Sequence, residues 1–202
     1  MKAALMWDER FGQEDYVYGK EPNAFLKSSL EYLPETGRVL CLAEGEGRNG
    51  VFLAKQGYDV HAIDISSAGK EKAEKLATEN GVAIDYVICD VNDYDFGEEK
   101  WDAIISISAH TDPETRGNVY RKVLPALKEN GVFFLEAYHP NQLLQGYGTG
   151  GPKEASWMVS LEDLLAFFPV ENVLHQAEME RDVREGKFHT GKAFVTQFVW
   201  KK

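Results

Sequence analysis

Short apolar segments recur along the first two thirds of the chain and alternate with stretches whose apolar residues recur every three or four positions. The short segments are rich in Val, Ile and Leu, which is typical of buried strands in a parallel sheet. The longer stretches have helical periodicity, and glycines follow them where left-handed C-caps are expected. The pattern predicts strands at 38–43, 59–63, 84–89, 103–107 and 132–137, helices at 22–32, 49–56, 68–79 and 113–128, and C-cap glycines at Gly57, Gly81 and Gly131.

The last third of the chain has a different pattern. Residues 139–159 form a long connection that contains Gly and Pro. This composition is consistent either with a mobile lid or with a disordered loop. The Ser160–Asp163 segment has the sequence of a capping box, and alternating segments at 171–180 and 192–199 predict a terminal hairpin. The whole pattern predicts an α/β, Rossmann-like three-layer sandwich. Its seven-stranded sheet is mostly parallel, with an antiparallel C-terminal edge hairpin strand.

A glycine turn, Gly45-Glu46-Gly47, joins the first predicted strand to the next helix. Glycine lets the backbone approach a ligand closely, and the N-terminus of a helix offers unpaired N–H groups. The second predicted strand ends at Asp64, 19 residues after Gly45, close to the spacing of about 20 at which an acid meets a ribose. Asp90 ends the third strand in the same way. These features predict an adenosine-containing cofactor at the carboxyl ends of the strands.

Composition narrows the choice of partners. The net charge is −11 and no basic cluster is present, which argues against nucleic acid or an anionic membrane. The two cysteines, Cys41 and Cys89, are expected to be buried free thiols, and no metal-binding motif occurs. Because the chain has neither a signal-like start nor a long apolar run, we expect a cytoplasmic protein, either a monomer or a homodimer.

Four segments carry a resemblance to a known family: Leu42–Asn49, Ala62–Ser66, Cys89–Asp93 and Leu124–Val132. With them the chain resembles the class I S-adenosylmethionine-dependent methyltransferases over nearly its whole length. Within that superfamily it is similar to the small-molecule branch that includes tellurite-resistance and thiopurine methyltransferases. The resemblance implies S-adenosylmethionine as cofactor, with its methionine portion at the glycine turn. It also implies that Asp64 accepts from both ribose hydroxyls and that Asp90 meets the adenine amino group.

The chain departs from the family pattern at Cys41 and Ala43, where many members have Asp and Gly. Glu44 or Glu46 is a candidate to supply the missing negative charge near the sulfonium. Substituting each by Gln and measuring cofactor affinity tests that hypothesis. The predicted cofactor-binding residues are Tyr16, Tyr18, Glu44, Gly45, Glu46, Gly47, Asn49, Asp64, Ile65, Asp90, Val91 and Ser108.

The N-terminal segment 16–23 contains two tyrosines and admits two interpretations. It either pins the first helix to the sheet or forms a lid whose aromatic face favours the sulfonium cation. The resemblance supports the lid.

His110 follows the fourth strand and is a candidate general base or substrate orienter, although a helix-cap role fits its position equally well. The candidate pocket wall follows the fifth strand and consists of Glu136, Tyr138, His139 and Gln142. The other histidines, His61, His175 and His189, occupy strand or surface-loop contexts and are assigned structural roles.

The sequence therefore predicts a single methyltransferase domain over residues 1–202. An N-terminal lid and helix occupy 1–35, a cofactor-binding core 36–138, a substrate loop 139–159, and a helix with the terminal hairpin 160–202. The predicted reaction is direct in-line methyl transfer to a small molecule such as a thiol or a chalcogen oxyanion. Two alternatives are a nicotinamide-dependent oxidoreductase and a non-catalytic S-adenosylmethionine-binding sensor or partner protein.

Overall fold

The computed structural model describes residues 2–202 and contains a seven-stranded sheet with the order β3-β2-β1-β4-β5-β7-β6. The strands are β1 (Arg38–Leu42), β2 (Asp59–Asp64), β3 (Asp85–Ile88), β4 (Trp101–Ile107), β5 (Leu127–Tyr138), β6 (Val173–Glu185) and β7 (His189–Lys201). The helices are α1 (Lys2–Phe11), α2 (Ala24–Ser28), α3 (Arg48–Lys55), α4 (Ser67–Glu79), α5 (Pro113–Ala126), α6 (Asn141–Leu144) and α7 (Leu161–Leu165). No helix within the described residues has the length and hydrophobicity that a membrane span requires.

The first five strands are parallel, and β1 lies at their centre. Cys41 of β1 is level with Ala62 of β2 on one side and with Ile105 of β4 on the other. After β3 the chain returns past β1 to form β4, so the strand order reverses between β1 and β4. In an open α/β sheet ligands bind at such a switch point, beyond the carboxyl ends of the strands. The predicted fold class is confirmed.

Both faces of the sheet are covered, as continuous apolar strands require. Leu40 and Leu42 belong to a core shared with α5 and α7. Val39 and Cys41 belong to the core on the opposite face, which is shared with α2, α3 and α4. Because side chains alternate along a strand, the short apolar β1 contributes to both cores.

The C-terminal region follows the sequence pattern with longer strands. Ser160 and Asp163 form the predicted capping box at the start of α7. β6 and β7 extend to Glu185 and from His189, so the polar segment that was expected to be a loop is mostly strand. β7 lies antiparallel between β5 and β6. The edge strand β6 is therefore parallel to β5.

Two predicted helices end earlier than expected. The helix predicted at 22–32 is α2 followed by a separate 3-10 turn, Leu30–Tyr32. Its break lies at Ser29, a residue type that competes for backbone hydrogen bonds and disfavours helix interiors. The helix predicted to reach residue 128 ends at Ala126 because Leu127 already pairs with Trp101 in the sheet.

The predicted C-cap glycines are confirmed at two of three positions. Gly57 and Gly81 have φ values of 99 and 70. Gly131 is not a helix cap but lies within β5, and the left-handed residue there is Asn130, with φ 65.

Candidate active site

The glycine turn after β1 carries three left-handed residues. The φ values are 49 at Ala43, 63 at Gly45 and 90 at Gly47. A Cβ at Gly47 would lie 2.6 Å from the Cβ of Ala73, so glycine there allows α3 and α4 to pack closely. A Cβ at Gly45 would lie 3.1 Å from Cζ of Phe11. The turn is thus shaped by its glycines and packed against both α1 and α4.

Asp64 ends β2 beside this turn. Its Oδ2 accepts from the N–H of Gly45 and its Oδ1 from the N–H of Ser66, both at 2.9 Å. Burial raises the pKa of Asp64 to about 6, although these hydrogen bonds favour its ionised form. Each carboxylate oxygen has a second lone pair, so Asp64 retains the capacity to accept from two vicinal hydroxyls. Ile65 follows it as a half-buried apolar side chain.

Asp90 is exposed beyond the end of β3. Its Oδ1 accepts from the N–H of Asn92 at 2.9 Å, and no hydrogen bond from residues 2–202 reaches its Oδ2. Val91 beside it is half-buried and apolar. The carboxylate can accept a hydrogen bond from an exocyclic amine, and the apolar surface of Val91 can contact the ring that carries the amine.

Glu44 is buried inside the turn and serves the protein backbone. Its Oε1 accepts from the N–H of Gly50 at 2.6 Å. Burial raises the pKa of Glu44 to about 7, against the opposing effects of the Gly50 hydrogen bond and Arg48. Burial and the nearby Glu44 also raise the pKa of the Cys41 thiol. A carboxyl with this pKa is partly protonated at neutral pH, so Glu44 is a poor substitute for a permanent negative charge.

Glu46 anchors the N-terminal segment 16–23. Its carboxylate accepts from the N–H groups of Val17 and Tyr18, both at 3.2 Å, and from Nζ of Lys72 at 2.9 Å. The side chain is 2% exposed. All three contacts lie within the protein.

The two tyrosines of this segment lie in different places. The Tyr16 hydroxyl donates to the carbonyl of Lys72 at 3.0 Å, which sets Tyr16 against α4. Tyr18 accepts from Nη1 of Arg10 at 3.0 Å, and its ring centroid lies 4.5 Å from that of His189. Tyr18 therefore lies beside the β6–β7 hairpin, whereas Tyr16 pins the segment to α4.

Ser108 and His110 follow β4. Ser108 has φ 55, and its N–H donates to the carbonyl of Glu136 at 2.8 Å. The Nε2 of His110 accepts from the N–H of Tyr138 at 3.0 Å. Burial, with a smaller effect from His189, lowers the pKa of His110 to about 3. Its free lone pair is used by this hydrogen bond, so the geometry opposes the general-base role expected of His110 and favours an orienting one.

A small cavity of about 10 Å³, on the scale of one water molecule, lies where β4 and β5 meet the β6–β7 hairpin. It brings together two predicted pocket residues, the predicted Ser108 and five residues of the hairpin, of which three are polar. Its polar and aromatic lining consists of Ser108, Glu136, Tyr138, Arg181, Glu185 and His189.

A buried ion network forms one wall of this cavity. Nη2 of Arg181 donates to Oε1 of Glu136 and to Oε1 of Glu185, both at 2.6 Å. Nη2 of Arg48 donates to the other oxygen of Glu185 at 2.6 Å. Nδ2 of Asn23 donates to Glu136 at 2.7 Å and to Glu185 at 3.0 Å. The network thus joins the N-terminal segment, α3, β5 and β6.

The electrostatics of the network differ from residue to residue. Burial raises the pKa of Glu136. Burial also opposes ionisation of Glu185, but Arg48 and Arg181 outweigh it and lower the pKa of Glu185. Burial and Arg48 lower the pKa of His189 to about 4, so this histidine is neutral at pH 7.

Two predicted pocket residues lie away from the cavity. His139 accepts from the N–H of Asn141 through Nδ1 and lies 3.2 Å from Glu178 through Nε2. Gln142 donates to Thr149 at 2.8 Å and accepts from the N–H of Phe194 at 2.8 Å. Neither lines the cavity, and Gln142 pins the 139–159 connection to β7.

The site contains residues that the sequence did not indicate. The sequence places Arg181 and Glu185 in the polar segment between the two predicted hairpin strands and assigns His189 a structural role. It assigns no role to Arg48 or Asn23. Asn49, which was predicted to bind the cofactor, accepts from the N–H of Asn23 at 2.9 Å. Alternate positions at Arg181, Val183 and Glu185 face the interior in the structure, but the sequence carries no signal for this, because two of the three inward residues are charged.

The residues at the three strand ends fit an S-adenosyl group by their chemistry. Asp64 has acceptor capacity for a diol, Asp90 has a free carboxylate oxygen, and Ile65 and Val91 supply apolar surface beside them. The glycine turn adds N–H groups at the start of α3. Phe11 of α1 packs on that turn.

Comparisons with known proteins agree with this geometry. Residues 39–131 match the family described as "Methyltransferase domain". The chain is 31% identical over 104 residues to the uncharacterized methyltransferase YbaJ of Bacillus subtilis (strain 168), a match that covers 51% of this chain and 41% of YbaJ. The matched part therefore spans less than half of that relative.

Solved structures extend the likeness of fold. A SAM-dependent methyltransferase from Methanosarcina mazei superposes with a TM-score of 0.64 at 18% identity, over 90% of this chain and 98% of its own. TehB from Haemophilus influenzae superposes with a TM-score of 0.67 at 14% sequence identity. The superposition covers 98% of this chain and 66% of the TehB chain. Residues 39–131, just under half of the chain, thus match the methyltransferase-domain family, and the chain has the fold of S-adenosylmethionine-dependent methyltransferases, whose cofactor is S-adenosylmethionine.

Proposed function

We propose that this protein transfers the methyl group of S-adenosylmethionine directly to a small-molecule acceptor. The acceptors predicted from the sequence are a thiol, a chalcogen oxyanion or a similar nucleophile. The observation that carries the proposal is the small lined cavity beside the strand ends that fit the cofactor. When bound, the cofactor supplies an already activated methyl group. The protein then needs to position the acceptor and exclude water, without forming a covalent bond itself.

The residues of the chain have separate tasks in this proposal. Asp64 and Asp90 hold the adenosine part, and the turn around Gly45 lies beside the methionine part. Ser108 and Tyr138 line the acceptor side. Residues 16–23 and the β6–β7 hairpin close the site, because the N–H of Lys187 donates to the carbonyl of Val17 at 3.0 Å. Enclosure of this kind supports a small acceptor over a macromolecule.

The same proposal includes the organisation of the chain. We expect one domain over residues 1–202, with the segment 139–159 next to the substrate side. We also expect a monomer or a homodimer without nucleic acid or membrane as partner. Size-exclusion chromatography with light scattering measures the oligomeric state.

Calorimetric titration tests the cofactor assignment. S-adenosylmethionine and S-adenosylhomocysteine should bind and NAD should not. The Asp64→Asn variant should bind both adenosyl ligands about 10- to 100-fold more weakly, because a carboxamide offers only one acceptor oxygen to the two hydroxyls. The Asp182→Asn variant changes an exposed carboxylate of β6 and is the matched control. Binding of NAD alone would overturn the proposal.

A non-catalytic sensor is the second candidate function. Two features favour it: the turn has Cys41 where an acid is usual, and Phe11 packs directly on Gly45. A methyl-transfer screen with thiols, selenite, tellurite, phenols and amines separates the two. Transfer to any acceptor supports the enzyme, whereas tight cofactor binding without transfer across the screen supports the sensor.

A further inference from the structure

Arg181 lines the cavity beside the β6–β7 hairpin, and one donor of its guanidinium group is not satisfied by the described residues. Nε of Arg181 is buried and has no partner among residues 2–202. The guanidinium is fixed, because its Nη2 is held by Glu136 and Glu185 at 2.6 Å each. A buried donor without an acceptor is energetically unfavourable, so such groups usually face a water or a ligand.

Formal charges around this donor balance. Glu136 and Glu185 contribute two carboxylates, and Arg181 and Arg48 contribute two guanidinium groups, all joined by direct hydrogen bonds. Arg181 is therefore not a free anion-binding fork. An anion bound in the cavity would be repelled by the two carboxylates, and a bound cation would be repelled by the two guanidinium groups. In a poorly solvated cavity either unpaired charge is disfavoured.

The remaining lining can accept as well as donate a hydrogen bond. His189 is neutral, and its side chain makes no hydrogen bond within the described residues. Tyr138 and His189 are in contact, with ring centroids 5.2 Å apart, and Tyr18 packs against His189 from the lid side. The cavity thus combines an unpaired N–H, an unpaired imidazole and aromatic walls. That combination suits a group that both accepts and donates.

Resting on the proposed methyltransferase function, we infer that this water-sized cavity takes only the polar head of the methyl acceptor, as an uncharged hydroxyl or thiol group, while the rest of the acceptor lies outside it. Arg181 Nε donates a hydrogen bond to the oxygen or sulfur atom. The imidazole of His189 accepts a hydrogen bond from the O–H or S–H and takes this proton when the acceptor is methylated. Oxyanion acceptors, which the sequence left open, are disfavoured by Glu136 and Glu185. Arg181 is a positioning residue in this scheme, and the charge balance around it determines specificity.

The test uses three compounds that differ mainly in their polar group: phenol, benzoate and benzylamine, which is a cation at neutral pH. Each is titrated into protein saturated with S-adenosylhomocysteine, and backbone amide shifts around Ser108 and His189 are followed by NMR. Phenol should bind at least about tenfold more tightly than benzoate or benzylamine. Equal affinities for phenol and benzoate, or no binding of any of the three, would overturn the inference.

A variant reports on the charge balance directly. Glu136→Gln removes one negative charge while keeping an oxygen for Arg181. Benzoate affinity should then rise about tenfold or more, and phenol affinity should change less than about threefold. A merely structural role for Glu136 predicts no gain for benzoate. Asp182→Asn, a change of an exposed carboxylate on the same hairpin, is the control and should leave all three affinities unchanged.

The outcomes separate this inference from the proposed function. If S-adenosylhomocysteine does not bind, the proposed function fails and the inference fails with it. If it binds and benzoate equals or exceeds phenol, only the neutral-acceptor inference fails. Should Glu136→Gln not fold, the wild-type series with three probes still decides the question.

Discussion

Replacing Glu46 with Gln should release the N-terminal segment 16–23 from the site. The carboxylate accepts from two backbone N–H groups, those of Val17 and Tyr18, and from Nζ of Lys72. A carboxamide has the same shape but only one acceptor oxygen. Its NH₂ group would face a donor, and the charge that pairs with Lys72 would be lost. The perturbation is therefore confined to the tether and leaves the packing volume unchanged.

The size of the effect follows from the contacts. Hydrogen bonds to charged groups contribute about 1.5–3 kcal/mol each. Gln retains one of the two backbone contacts, so local opening of the segment should become easier by about 2–3 kcal/mol. That difference corresponds to amide exchange about 30- to 150-fold faster at Val17 and Tyr18.

Hydrogen–deuterium exchange measures this opening directly. Peptides that cover residues 14–23 should lose protection in Glu46→Gln, while peptides from β4 and β5 should keep theirs. Glu14→Gln is the matched control, because Glu14 is exposed and makes no hydrogen bond among the described residues. Unchanged protection of 14–23 in Glu46→Gln would show that packing of Tyr18 and α1, and not the carboxylate, holds the segment.

Two further predictions concern the turn and the hairpin. The folded-state pKa of Glu44, about 7, exceeds its ordinary value of 4.5, so its contribution to stability is present below pH 4.5 and is lost as pH rises through 7. Relative to Glu44→Gln, the wild type should lose ~3 kcal/mol of unfolding free energy between pH 4.5 and 7.5 in urea titrations, and a pH-independent difference would refute this. Gly186→Ala should destabilise the protein by clearly more than Gly81→Ala. The two glycines have nearly equal φ values, 72 and 70, so the backbone strain is the same. Only at Gly186 would the new Cβ meet the backbone, 2.4 Å from the carbonyl carbon of Tyr18. Gly81→Ala should cost only the left-handed strain of about 1–2 kcal/mol, and equal losses for the two variants would contradict the close contact.

Local patterns were sufficient for the sheet, and they place the candidate cofactor residues at its strand ends. Each strand end carries its own signal, such as the acid at Asp64 or the glycines around Glu46, within a few residues of the strand. Failures at helix ends have a tertiary cause. α5 stops at Ala126 because Leu127 pairs with Trp101, a contact 26 residues away that helical periodicity does not contain.

The residues around the cavity could not be found in that way because their contacts are distant in sequence. Arg48 and Glu185 are 137 residues apart, and Asn23 and Glu136 are 113 apart. In the sequence, each of these residues is typical of an exposed charged position or of a turn. Only the antiparallel insertion of β7 next to β5 brings the hairpin to the carboxyl ends of the parallel strands.

The ion network is better explained by positioning than by stability. Burying two ion pairs has a desolvation cost that can equal or exceed the attraction gained, whereas removing one partner leaves an uncompensated charge and costs about 3–5 kcal/mol. Glu185 shows the consequence, since it is shared by Arg48, Arg181 and Asn23. Each contact fixes a different element against the others: α3 beside the glycine turn, β6 of the hairpin, and the N-terminal segment. A network that ties these elements together fixes the glycine turn relative to the cavity, which the proposed methyl transfer requires and which an apolar cluster would specify less sharply.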